Sequence, residues 1–402
     1  MPDAFALAAS EDSKPPVKRS PLRVLAAACI LAAGLVICGV LIFGLSDKAT
    51  TTRDYLEYWS AEQLYAHGQN PYDMEATLKL ERSVGFDKSP ALITLSPPVA
   101  LFFALPLGWV GAKLGLSLWL IFLFSCLIVS IWLLRRMHGP ESRFHLIGIV
   151  FPPTLWCLTA GQLGVLFLLE IVLFLYFYKS RPALSGAALA FCALKPHLFL
   201  PCLLVLLLWS LYKRSFSILA GMLGALGASC LLTMSRDWSI WAQYAQMMRA
   251  HEIVNTFSPT VSMALRSLIE NGAHWRNAHW IEFMAEAAAC AWAAWYFWRR
   301  RGAWEWGDQG LVVLAVSVTC APYSFYTDQA MLFPAVLAGL LATKRFRRTA
   351  LFFAIIAGLG WISVTEGISL TSAFYVWTAP ALLVWFLDAR RGVAVDAKPE
   401  LA

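Results

Sequence analysis

Long apolar runs alternate with short basic clusters from residue 22 to residue 391, and this alternation limits what the chain can fold into more than any other feature. A helix crossing a bilayer needs roughly 20 consecutive apolar residues, and several runs approach that length. Soluble domains carry roughly 45–50% apolar and about 25% charged residues, against 59% and 14% here. The expected class is therefore an all-α polytopic membrane protein. A formal net charge of +7 does not point to nucleic acid, because the basic residues sit between apolar runs as orientation signals do. The bilayer is the expected partner. Nine cysteines lie in or beside apolar runs, with no CxxC pair and no histidine at ligand spacing, and read as packing residues.

Charge fixes the expected topology. Lys14, Lys18, Arg19 and Arg23 flank the first run, 22–45, so the tail 1–21 lies in the cytoplasm and the loop 46–91 outside. The run 97–110 is short and broken by Pro106, so it reads as a juxtamembrane or re-entrant element. One crossing over 114–134 then puts RRMHGPESR, Arg135 to Arg143, inside. Continuing the alternation gives about twelve spans, a second external loop over 235–280 and a cytoplasmic tail over 391–402. The whole of 22–390 is one transmembrane domain, with its shortest runs at 183–194 and 310–321.

Five polar segments come out on the external side. The stretch TTRDYLEYWSAEQLYAHGQNPYD, residues 51–73, reads as a short amphipathic helix stopped by Gly68, Asn70 and Pro71. Asp54, Glu57 and Tyr58 fall near one face of it. Asp54 is either a general base, its pKa raised by partial desolvation, or a helix cap paired with Arg53 or Lys48. Gly161 and Gln162 form a second segment, and Lys195 with His197 a third. Lys195 is either an anion contact or a lysine snorkelling to the headgroups. Arg249, His251 and Arg266 add phosphate contacts or solvated charge. CAPYSFYTDQ, Cys320 to Gln329, sets Tyr323, Tyr326, Asp328 and Gln329 at a helix junction, where rings and polar groups suit a sugar or an aromatic belt. No cofactor is expected; Asp54 and Glu57, two carboxylates on one turn, leave a shared divalent metal open.

In that order the segments resemble glycosyltransferase family 87, polyprenol-phosphate-sugar-dependent membrane enzymes of the GT-C class that include bacterial mannosyltransferases. The similar motifs are RDYLEYWSAEQLYAHGQNPYD, SPPVALFFALPLGWV, AGQLGVLFLL, LSGAALAFCALKPHL and APYSFYTDQAMLFPA. The resemblance implies a GT-C-like bundle with a juxtamembrane helix, in the bacterial inner membrane, with its active site on the external side. It also implies a sugar donor on polyprenyl phosphate, a lipid or glycan acceptor hydroxyl, Asp54 as base with Glu57 beside it, and Lys195 at the phosphate. Some members carry a histidine where this chain has Thr327 and Asp328. A transporter or lipid flippase would use the same acids and lysine along a translocation path, and a non-catalytic scaffold would not need them.

The topology is tested by cysteine-accessibility labelling at Lys113 and Arg136 in intact cells. Labelling at Lys113 alone is expected from the outside; access to neither, or to both, contradicts a single crossing between them.

Overall fold

Backbone-to-backbone contact at small residues sets the helix spacing. The computed structural model describes residues 54–139, 143–250, 258–272, 278–369 and 371–396. The tail 1–21, the run 22–45, Lys48, Arg53 and His251 lie outside the described residues. Among the described residues the fold is all-helical. A Cβ added at Gly186 would overlap the carbonyl oxygen of Ile218, and one at Gly221 would overlap that of Ala183. Helices α7 (Pro182–Ala188) and α9 (Ser217–Arg236) therefore touch through their backbones, as small residues permit in helix pairs that lack water between them.

The polar stretch after the first apolar run folds into α1 (Tyr55–Ala66) and α2 (Met74–Ser83). Gly68 takes φ +71° after α1, and Asn70 accepts from the Tyr72 amide at 2.9 Å, so the helix stops where the sequence indicates. Its burial departs from the amphipathic expectation. Tyr55, Leu56, Tyr58, Trp59, Ala61, Glu62, Leu64 and Tyr65 are all buried, and α1 is enveloped on most of its circumference. The run 97–110 is α3 (Val99–Ala104) followed by a 3₁₀ turn, Leu105–Trp109, that contains Pro106. It lies against α1, where Gln63 Nε2 donates to the carbonyls of Leu107 (2.9 Å) and Val110 (2.8 Å).

Among the described residues, two helices, α4 (Ala112–His138) and α9, are long and apolar enough by length and composition to cross a membrane. Leu114, Leu118, Ile121, Phe122, Val129 and Trp132 of α4 are exposed, an apolar face that water would penalise. Shorter apolar helices complete the bundle: α5 (Pro152–Ala160), α6 (Gly164–Phe177), α8 (Leu200–Lys213) and, after the second loop, others broken by turns. The run 183–194 is α7 continued by a 3₁₀ turn, Leu189–Leu194. The segment 235–280 carries α10 (Ile240–Ala250) and α11 (Val261–Gly272), after which α12 (Ile281–Arg300) re-enters the bundle. The run 310–321 is a π turn, Trp306–Gly310, leading into α13 (Leu311–Cys320). A 3₁₀ turn, Tyr326–Leu332, runs into α14 (Phe333–Ala342), and α15 (Phe346–Thr365) and α16 (Thr378–Asp396) follow, α16 extending past residue 391.

These helices sort charge to two ends. At one end Lys179 pairs with Glu305 (2.8 Å), Arg345 with Asp388 (2.9 Å), and Arg390 with Asp308. At the other, Tyr55 Oη donates to the Ala112 carbonyl (3.1 Å), and Ser258 and Thr260 donate to the carbonyls of Ser324 (2.9 Å) and Pro322 (3.2 Å). Helix α6 lies between Gln162 and Lys179 and α13 between Asp308 and Tyr323, while α16 carries both Thr378 and Arg390. Each joins one end to the other.

If backbone contact sets the spacing, Gly221→Ala lowers the thermal midpoint of the detergent-purified protein. Gly224→Ala, whose Cβ meets no atom, leaves it unchanged or raises stability by the roughly 0.5–1 kcal/mol that alanine gains over glycine in a helix. Equal shifts in both variants would assign the effect to propensity instead of contact.

Candidate active site

The start of α1 releases a carboxylate into the bundle. Asp54 stands before the first residue of the helix with helical backbone angles (φ −63°, ψ −18°), and its side chain caps nothing. Instead Gln162 Nε2 donates to Asp54 Oδ2 at 2.7 Å, while Gln162 Oε1 accepts from Tyr58 Oη at 3.1 Å. One amide therefore ties two successive turns of α1 to a point 108 residues later in the chain.

That point is itself held firmly. Gly161 ends α5 in the left-handed region (φ +74°), which turns the chain back and presents the Gln162 side chain to α1. The Gln162 amide donates to the Cys157 carbonyl at 3.0 Å, and Cys157 Sγ donates to the Gln162 carbonyl at 2.9 Å. From α4, Trp119 Nε1 donates to the Gly161 carbonyl at 2.7 Å, and its ring lies 5.4 Å from that of Tyr58. Nothing within an apolar run distinguishes Trp119 or Cys157 as a positioning residue, so the sequence reading passed over both.

A second half of the cluster forms around Lys195. Proline at 196 disfavours helix at the residue before it, and Lys195 leaves the 3₁₀ turn at φ −141°, ψ 69°. Its ammonium pairs with Asp328 Oδ1 at 2.8 Å, the lysine side chain being 12% exposed and the aspartate 0%. Asp328 Oδ2 accepts from the Phe325 amide at 2.9 Å. Both carboxylate oxygens are thus engaged, and Asp328 fixes where the ammonium sits. The Lys195 ammonium also lies 5.6 Å from the ring centre of Phe325 and 6.0 Å from that of Tyr323. Gly164 closes the structure behind, because a Cβ there would overlap the Thr327 carbonyl.

Electrostatics joins the halves. Burial raises the Asp54 carboxyl above its usual value; the Gln162 hydrogen bond and the charge of Lys195 oppose the rise, and Asp328 adds to it. Glu57, one turn on, is pushed up to about 8 by burial and then by the charge of Asp54, with Lys195 and Tyr58 opposing. Tyr323 is raised by burial and by Glu57, Asp328 and Asp54 in turn. His197, two residues beyond Lys195, is lowered to about 4 by burial and the lysine's charge. Asp54, Glu57, Tyr58, Gln162, Lys195, His197, Tyr323 and Asp328 therefore form one interacting group.

The remaining candidates are held elsewhere. The Arg266 guanidinium is taken up by Glu270 (2.9 Å) and Glu282. Tyr326 stacks on Tyr375 at 4.9 Å, and Gln329 Nε2 donates to Thr378 Oγ1 at 2.7 Å. Arg249 is exposed on α10.

A raised carboxyl stabilises the fold in its protonated form, so the contribution of Glu57 is complete below about pH 4.5 and is lost as pH rises through about 8. Between about pH 6 and 9 the thermal midpoint of Glu57→Gln is expected to fall less than that of the wild type. Parallel curves would show that Glu57 does not hold the proton.

A family model described as glycosyltransferase family 87 matches residues 95–322, over half the chain. No curated protein and no solved structure matches. The matched region contains Gln162, Lys195 and His197, and the fold brings to it Asp54 from before the match and Asp328 from after it. On this match the chain belongs to glycosyltransferase family 87, a family of sugar-transferring enzymes.

Proposed function

We propose that the chain is a polytopic membrane hexosyltransferase. It moves a mannose-like sugar from polyprenyl phosphate to a hydroxyl of a lipid or glycan acceptor, on the external face of the bacterial plasma membrane. The observation that carries this reading is that Asp54, held by Gln162, lies within the charge of Lys195 and its partner Asp328, at one end of a helix bundle whose family transfers sugars. The opposite end gathers the basic clusters Lys179, Arg345 and Arg390, which supports the cytoplasmic assignment for that end and a chain of about twelve crossings.

In this reading the acceptor hydroxyl gives its proton to Asp54 as its oxygen attacks the anomeric carbon. The bond from that carbon to the phosphate oxygen breaks on the far side, so the displacement inverts configuration. The electron pair leaves with the phosphate, whose growing charge Lys195 meets. Asp328 occupies one of the three ammonium donors, leaving two for phosphate oxygens. Glu57 held protonated keeps the site from setting three carboxylates and a phosphate against one lysine. No nucleotide-binding domain is needed, since both substrates arrive by the membrane and gain chiefly from proximity. A transporter would set its essential polar groups near the bilayer midplane; gathering them at one end favours transfer.

Membranes carrying the wild-type chain are expected to move labelled hexose from polyprenyl phosphate onto a lipid or glycan acceptor. Asp54→Asn is expected to cut that rate by about 10²–10⁴-fold at unchanged expression, the range of a lost general base. Full activity in Asp54→Asn would shift the base to Glu57, and full activity in both Asp54→Asn and Glu57→Gln would end the mechanism.

A further inference from the structure

One buried acceptor atom in the cluster has no use in the chemistry above. His197 lies in a 3₁₀ turn, Pro196–Leu198, immediately after Lys195. Its ring meets that of Tyr323 edge-on, with centroids 5.6 Å apart and planes at 72°. The Tyr323 backbone acts on the charge of the ring, and Nε2 is buried without a hydrogen-bond partner. With the proton on Nδ1, a neutral ring carries its lone pair on Nε2.

Buried polar atoms are nearly always satisfied, so a bare Nε2 beside the ion pair calls for a partner that arrives with substrate. Both Lys195 and Asp328 act on the charge of the ring, which places it beside the ammonium that would receive the donor phosphate. A phosphodiester at neutral pH has no proton to offer this nitrogen. The sugar joined to it has hydroxyl groups, and it must lie between Lys195 and Asp54 to react.

We propose that His197 Nε2 accepts a hydrogen bond from one hydroxyl of the donor hexose, making His197 a specificity-determining residue. This rests on the functional reading above. It also reassigns the residue's chemistry: a histidine next to Lys195 reads in sequence as a second cation for phosphate, whereas burial and the lysine's charge keep its ring neutral. Lys195 then reads the carrier and His197 the sugar. A site built to bond a hydroxyl rejects an analogue lacking it far more strongly than an apolar pocket can.

The test compares polyprenyl-phosphate hexose with analogues lacking one ring hydroxyl each, measuring kcat/KM for wild type, His197→Asn and His197→Gln. Wild type is expected to lose about tenfold to hundredfold on one analogue. His197→Asn, whose shorter amide does not reach the Nε2 position, is expected to use that analogue as well as the parent sugar. His197→Gln, whose carbonyl reaches it, is expected to recover part of the discrimination. A uniform drop in kcat with the wild-type preference intact in both variants overturns the inference and leaves His197 a packing residue. Absence of transfer by the wild type with every donor would instead overturn the functional reading, and this inference with it.

Discussion

One ammonium set among several carboxyl groups governs this molecule. Lys195 is almost wholly buried, and its partner Asp328 is fully so. Isolated charges in such surroundings are costly, which is why both are held by short, directed contacts. Asp54 and Glu57 lie within the same field, and among the described residues Lys195 is the cation that acts on both. Burial raises both carboxyls, Glu57 to about 8, and at Asp54 the Gln162 hydrogen bond and the charge of Lys195 oppose the rise.

The fold supports this by rigid, local means. Gln162 is fixed by a left-handed glycine, by Cys157 and by Trp119 before it reaches Asp54, so its geometry does not depend on a mobile loop. Helices broken by proline, 3₁₀ turns and a π turn bring chain reversals into the bundle. The Cys192 thiol donates to Glu170 Oε1 at 2.5 Å, which gives that mid-helix acid a local partner.

Much of this was legible in the sequence. The polar stretch at 51–73, the Lys-Pro junction and the Ala-Pro-Tyr segment stood out because each interrupts an apolar run, and basic clusters gave them a common side. The exact partners were not legible, because a bond between residues 108 positions apart leaves no local pattern. Nor could pattern sort Tyr326 and Gln329 from Phe325 and Asp328. A 3₁₀ turn repeats every three residues, so the first pair shares the side facing Tyr375 and Thr378, and the second the side facing Lys195. Read as an undivided loop, all four look alike. Arg266 has one partner legible at helical spacing, Glu270 four residues on, and one that is not, Glu282 on α12.

The most direct measurement is a structure of the protein in a lipid nanodisc with an unreactive polyprenyl-phosphate hexose bound. The expected result is phosphate within hydrogen-bond reach of Lys195 Nζ and the anomeric carbon between it and Asp54. Phosphate at the opposite end, among Lys179, Arg345 and Arg390, would contradict the account.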